Sequence, residues 1–469
     1  MTITDKFTFS ILIILMISGC ATGTKEKVKS VTQSKPNKSL KNINIPFEKF
    51  QLENGLTVLL IPNKKVPLFS YYTLFRVGSK GEKKGMTGST HFLEHLLFKG
   101  TKNYSLAQFR DIVEGNGGFF NAYTTMDSTV YYENMPSAQL DKVMDMEVDR
   151  FMNASIEKVA FERERFVILE ERKGRYENSD YGKLILAITK NLYRGTPYGG
   201  STIGEISDIK SVTRDQIYSY YKANYIPKNA VLVIAGDIDV ESVKKMIVEK
   251  YSKIPAQAQN ISEDYKLKVL PKVFSDNAKY GRWVKLNGQA KTPIFALAFR
   301  APEIQQRSAY VADLLAVILG GGDSSYLSQE YANNRRPLVS SIYSHNTTMV
   351  HAGRFIVAGQ LLPRVNLAKF KSRLMKSLKK SCQVAITPRN LQKAKNQFWV
   401  SYYDQLQGNA AIASFLGTKE LLYRDPYYFQ KEIEFYESIS LEEVKGYCSQ
   451  LTSGNKSIFF SIWNKHKKG

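Results

Sequence analysis

The chain is short of three things. Cysteine occurs three times in 469 residues, and no pair of cysteines stands at a metal-binding spacing. Histidine occurs five times, so any grouping of imidazoles is informative. Acidic residues are outnumbered, 43 Asp and Glu against 66 Lys and Arg, leaving a formal charge of +23. Hydrophobic residues at 43% and charged residues at 23% exclude the disordered, fibrous and polytopic classes. A length of 469 residues exceeds one ordinary core and points to about two or three domains. So basic a surface is drawn to anionic membranes, acidic peptides or nucleic acid. No zinc finger, RNA-recognition signature or basic-aromatic stripe is present to favour nucleic acid, so the preferred partner for that surface is an anionic membrane.

The N-terminus supplies the membrane. In "MTITDKFTFSILIILMISGCATG" one lysine precedes an apolar run from Phe7 to Ile17, too short to span a bilayer comfortably and shaped like a secretory signal. The ending Ile17-Ser18-Gly19-Cys20 resembles a bacterial lipobox. It implies a signal peptide over residues 1–19 and a lipoprotein acylated at Cys20, tethered rather than membrane-spanning. Ala21 in place of an acidic residue implies the outer membrane. Residues 20–46 are Lys-, Ser-, Thr- and Asn-rich and read as a flexible tether, reaching roughly 25–30 Å. The two remaining cysteines, Cys382 and Cys448, are either buried thiols or one disulfide, which an oxidising periplasm permits. Structural thiols are the preferred reading.

Beyond the tether, "LTVLLIP" and "LFSYYTLFRVG" have strand character. A helix over "GSTHFLEHLLFKGT" follows, then the aromatic, Thr-rich "GGFFNAYTTMDSTVYYENMP". Helical patterns run from Ser137 to Asn178 with a break near Asn153, and "NAVLVIAGDID" reads as a buried closing strand. Residues 251–275 are polar with scattered prolines and read as a linker. The order then restarts. "TPIFALAFRAPE" echoes "VPLFSYYTLFRVG", the helix "SAYVADLLAVILGGG" stands where "STHFLEHLLFKGT" stood, and "NKSIFFSIW" closes the chain. This is a duplication, with halves at residues 47–250 and 276–469. The second copy of the helix has neither histidine nor glutamate.

His91 and His95 fall on one helical face, with Cβ atoms roughly 5–6 Å apart, a workable separation for gripping one ion. Glu94 borders that face and could take a proton from a metal-bound water. Leu93, Leu96 and Leu97 form the apolar side, and Gly100 is the predicted stop. A catalytic zinc wants three protein ligands and an open position. The richest source of a third is "FERERFVILEERKGRYEN", where Glu164 and Glu171 share a face and Glu162 and Glu170 point elsewhere. On the residues alone this stretch is also readable as a charged, solvated helix. His345, His351 and His466 show no comparable grouping.

These residues resemble the pitrilysin/insulinase metallopeptidases, a family that includes the mitochondrial processing peptidases. The likeness lies in His91-x-x-Glu94-His95, in a glutamate 76 residues beyond His95 within Glu164-Arg165-Phe166-Val167-Ile168-Leu169-Glu170-Glu171, and in "GGFFNAYTTMDSTVYY" and "LGGGDSSYL". It extends over nearly the whole mature chain. The resemblance implies an α+β fold of two homologous halves, each a mainly antiparallel sheet with helices packed on it. It implies one zinc ion per chain held by His91, His95 and Glu171, with Glu94 as general base and Glu164 as an auxiliary carboxylate. It also implies that substrate adds as a strand beside Gly118, Asn121 and Ala122.

One departure stands out. The family's pattern "L-R-x-x-x-x-L-x-Y-S-V" meets "EYANNRRPLVSSIYS" here, with Ser340 in the tyrosine's place and Ala332 or Asn333 in the arginine's. Arg335, Arg336 and Tyr343 are near but out of register. The expectation is a zinc endopeptidase of peptides or unfolded polypeptides, facing the periplasm of a Gram-negative bacterium, and the metal-bearing member of a heterodimer whose related partner lacks the zinc motif. The alternative is an envelope-tethered binding or assembly protein that kept the fold without useful activity. A metal-dependent hydrolase or lyase of a small molecule fits the helix but not a duplicated, strand-binding architecture.

Overall fold

A computed structural model describes residues 43–256 and 276–464. The signal peptide, Cys20, most of the predicted tether, residues 257–275 of the predicted linker and His466 lie outside the described residues. Ile45, within the stretch read as tether, is buried, as are Tyr251 and Ile254 at the start of the stretch read as linker.

Eleven strands among the described residues form two sheets. The first contains β1 (Glu48–Gln51), β2 (Thr57–Pro62), β3 (Leu68–Phe75), β4 (Phe119–Thr124), β5 (Thr129–Pro136) and β6 (Ala230–Gly236), in the order β1-β2-β6-β3-β5-β4. The second contains β7 (Trp283–Asn287), β8 (Ile294–Ala301), β9 (Val339–Met349), β10 (Ala352–Leu361) and β11 (Ser457–Trp463), in the order β7-β11-β8-β10-β9. Leaving out β1, the two orders are the same. In each, the closing strand inserts parallel to the first strand and antiparallel to the second, and the remaining pairs are antiparallel. This is the duplication that the repeated motifs predict. The closing strands are apolar at almost every position, "AVLVIAG" and "SIFFSIW", because a central strand covered on both faces has no solvent side to favour alternation.

Each sheet borrows one of its covers. The helix Asp180–Leu192 belongs to the first half in sequence yet lies on β8 and β11, while Asn409–Tyr423, from the second half, lies on β3 and β6. Gly417 makes the second of these possible. A Cβ there would come within 2.9 Å of Leu74 and 3.0 Å of Val233, so only glycine lets the helix sit this close to the sheet. The two halves are thus exchanged at their covers, and Ile43–Gly469 forms one compact unit.

The preference for free thiols is corrected. Cys382 and Cys448 are joined as a disulfide between the helices Leu367–Val384 and Leu441–Thr452. Their separation of 66 residues gave no local signal, because the pairing comes from two helices packing side by side on the second sheet.

Candidate metal centre

The histidine helix is short, Ser89–Leu96. It ends a turn before the predicted stop at Gly100, since Leu97 already serves as its C-terminal cap. Phe92, Leu93 and Leu96 are buried at 1% or less, which fixes the rod in the first core. Its N-terminus has no ordinary cap. Gly88 sits at φ +90°, and a Cβ there would fall 2.3 Å from the Ile203 carbonyl, so no capping side chain fits. Glu82 takes over the role. Its two carboxylate oxygens accept from the backbone N–H groups of Gly88 and Thr90, each at 2.7 Å, which is where a helix N-terminus favours negative charge. Burial pushes the Glu82 carboxyl up to about 7 against those donors. Sequence reading missed this residue, because a carboxylate six positions before a glycine matches no capping pattern.

The glutamate helix, Lys158–Arg172, packs across the histidine helix through Phe161, whose ring stacks on Phe92 at 4.7 Å between centroids. That crossing brings Glu164 and Glu171, two turns apart, onto the two imidazoles. Glu171 Oε2 lies 3.6 Å from His91 Nε2 and 3.4 Å from His95 Nε2, and one ligand atom from each residue falls within 4.8 Å of the others. Charge-assisted hydrogen bonds run at about 2.7–2.9 Å, so these separations are long for direct pairing. They match the edge of a tetrahedron, about 3.4 Å, around an ion bound at about 2.0–2.1 Å. The donor set, two imidazole nitrogens and a carboxylate oxygen, is one that suits zinc. His91 turns Nε2 toward Glu171, while its Nδ1, on the other side of the ring, is buried with no hydrogen-bond partner among the described residues.

The surrounding groups orient these three. Glu164 Oε2 lies 3.2 Å from His95 Nδ1, and its other oxygen lies 2.9 Å from Lys99 Nζ. A carboxylate behind a ligating imidazole fixes the ring's tautomer and raises its basicity. Arg175 donates to Glu171 Oε1 at 2.7 Å, leaving Oε2 as the oxygen that faces both rings. Arg175 belongs to a π-helical turn, Lys173–Glu177, a deformation often found at functional sites. Glu94 accepts a hydrogen bond at Oε2 from the Thr124 hydroxyl at the end of β4, and burial raises its pKa. Glu162 and Glu170 point outward to Arg165 and Lys173. The reading of the whole stretch as a solvated helix therefore holds for one face only.

The two imidazoles carry opposite shifts. Burial, and then its neighbour His95, push His91 down to about 3. Burial also disfavours charge on His95, but the facing carboxylates of Glu164 and Glu171 outweigh it and raise the ring to about 9. Glu171, despite burial, is held down to about 2 by His95 and His91. The metal-free centre thus holds one imidazolium at neutral pH, the ring backed by two carboxylates, because two adjacent rings 4.7 Å apart cannot both be charged. That proton contributes to stability below about pH 6.5, the unfolded value, and the contribution is lost as pH rises through about 9. Metal affinity runs the other way and rises over the same interval, since the ion and the proton compete for His95. NMR titration of the metal-free protein is expected to show His95 titrating near pH 9 and His91 neutral down to pH 5. A neutral His95 at pH 7 would contradict this arrangement.

Strand β4, which carries Asn121 and Ala122 of the predicted substrate segment, packs against the histidine helix. Gly118 has no room for a side chain, with Met135 Sδ 1.8 Å from where a Cβ would stand. Asn121 and Ala122 lie on β4, the edge strand of the first sheet, with Ala122 buried and Asn121 half-buried. Thr124, on the same strand, went unremarked in the sequence, although it is the residue that ties the edge strand to Glu94. From the second half, Ser340 on β9 donates to the Gln360 carbonyl, and Tyr343 packs beside Tyr181. Among the described residues, the side chains named at the centre (His91, His95, Glu94, Thr124, Glu164, Glu171 and Arg175) belong to the first half.

Comparison with known proteins gives consistent results. Residues 58–205 match the family described as Insulinase (Peptidase family M16), and residues 211–398 match Peptidase M16 inactive domain. The chain is 29% identical over 377 residues to the zinc protease PqqE of Helicobacter pylori, covering 78% of this chain and 81% of that protein. It is 26% identical to a probable mitochondrial-processing peptidase subunit beta of Schizosaccharomyces pombe, covering 79% and 81%. The crystal structure of a protease from Helicobacter pylori superposes with a TM-score of 0.79 at 26% identity, covering 89% of this chain and all of that one.

Proposed function

Because the chain belongs to the insulinase family of peptidases, family M16, we propose that it is a zinc-dependent endopeptidase of peptides or unfolded polypeptides, lipid-anchored through Cys20 at the periplasmic face of the outer membrane. The observation that carries this reading is the convergence of His91, His95 and Glu171 on one point, with Glu94 beside them.

In this reading His91, His95 and Glu171 hold one zinc ion, which when bound supplies Lewis acidity toward the scissile carbonyl and the attacking water. Thr124 occupies one oxygen of Glu94, so the other is the one that takes a proton from water and returns it to the leaving amine. A raised pKa suits both halves of that task, since the carboxylate must accept and then release the same proton. Glu164 keeps His95 turned so that Nε2 faces the ion. The free edge of β4 offers backbone N–H and C=O groups to an extended substrate, giving affinity without strict sequence preference. Gly118, Asn121 and Ala122 line that approach.

Ser340 in place of the family's tyrosine supports a two-chain enzyme whose partner contributes the missing arginine and tyrosine. The resemblance to a chain named as a subunit favours the same view. Purified zinc-loaded protein is expected to cleave an unfolded polypeptide weakly alone and strongly with a related chain that lacks the histidines. No hydrolysis under either condition would leave the alternative, an envelope binding or assembly protein with a vestigial centre.

A further inference from the structure

One helix of the second half is basic without any acidic counterpart in its own sequence. The helix Leu367–Val384, "LAKFKSRLMKSLKKSCQV", contains no acidic residue. Leu367, Phe370, Leu374 and Leu378 are buried against the second core. On the opposite side Lys369, Arg373, Lys376 and Lys380 are exposed. Their spacing of four, three and four residues keeps them on a single stripe, running about 16 Å along the axis at 1.5 Å per residue. Like charges at these spacings repel one another and weaken a helix, and the one ion pair on the stripe, Arg373 to Glu330 at 3.0 Å, offsets little of that.

We infer that this helix face docks on the anionic headgroups of a lipid bilayer. The stripe is linear and rigid, with one ion-paired carboxylate against its four cations among the described residues, which fits a charged plane. The residues preceding Ile43 say why a plane would be within reach. In the proposed lipid-anchored form Ile43 stands only 23 positions beyond Cys20, so the protein meets the bilayer at high effective concentration. The inference rests on the proposed envelope location, but its test does not.

The full chain carrying Cys20→Ser, so that no acyl group is attached, is mixed with vesicles of phosphatidylcholine alone or with 30% phosphatidylglycerol. The expected result is stronger binding to the anionic vesicles, falling steeply between 50 and 500 mM salt. Lys369→Gln/Lys376→Gln/Lys380→Gln, which keeps helix propensity, is expected to lose about fivefold per lysine, roughly 100-fold in all. Lys64→Gln/Lys65→Gln/Lys84→Gln, exposed lysines in the first half, is expected to bind like the parent. Equal loss in both triple variants would assign the effect to net charge, and no loss in the first would assign it to the N-terminal lysines. Either outcome overturns the inference, as does preference for an RNA duplex over the vesicles through the same three lysines.

Discussion

Glu94→Gln is expected to lower peptide turnover by roughly 10²–10⁴-fold while zinc remains bound at the level of the parent. The substitution keeps the size of the side chain and its ability to accept the Thr124 hydrogen bond, so the local packing survives. What it removes is a basic oxygen that can hold a proton between the two halves of the reaction. Glu94 is buried at 9% exposure, yet none of its carboxylate oxygens belongs to the trio of converging ligand atoms. The loss should therefore fall on kcat, with KM little changed. Metal analysis beside steady-state kinetics decides the matter. Zinc lost together with activity would make Glu94 a ligand, and activity retained would remove it from the chemistry.

Glu171→Gln is expected to act in the opposite sense, on the metal before the reaction. Outer groups that merely orient a ligand cost about 10–100-fold in metal affinity when removed, so a direct ligand that loses its charge should cost at least about 100-fold. Activity at low zinc then disappears and returns only in part at high zinc. Folding should be kept, since the Glu171 side chain is 29% exposed and its ion pair with Arg175 joins neighbouring turns at the surface. Chelator competition gives the affinity and circular dichroism checks the fold. Zinc held as tightly as in the parent would withdraw Glu171 from the ligand set.

Much of the centre was legible because its residues are rare and closely spaced. Two of five histidines on one helical face, with Glu94 between them, are visible without coordinates. Glu171 was different. Its stretch also contains Glu162, Glu164 and Glu170, and the choice among them came through resemblance to a family. Helical phase put Glu164 and Glu171 on one face, but the Phe92–Phe161 stack sets where that face lands. Glu82, Thr124 and Arg175 were not singled out. Glu82 caps from six and eight residues upstream, outside any capping pattern, Thr124 acts on a residue 30 positions away, and Arg175 acts from a π-helical turn whose geometry no periodicity announces.

The fold divides in the same way. Repeated motifs announced two halves, because each half must build its own central strand and the apolar runs "AVLVIAG" and "SIFFSIW" record that need. The exchange of covering helices and the Cys382–Cys448 bond left no mark that composition could reveal. What the sequence by itself determined about this protein is the duplicated architecture, the basic surplus and two imidazoles on one rod, since all three follow from local spacing and residue type. Only the tertiary structure decided which carboxylate meets those imidazoles, which hydroxyl orients the base and which helix face leaves its lysines outside. Those outcomes depend on how two rods cross and on which faces a core leaves outside.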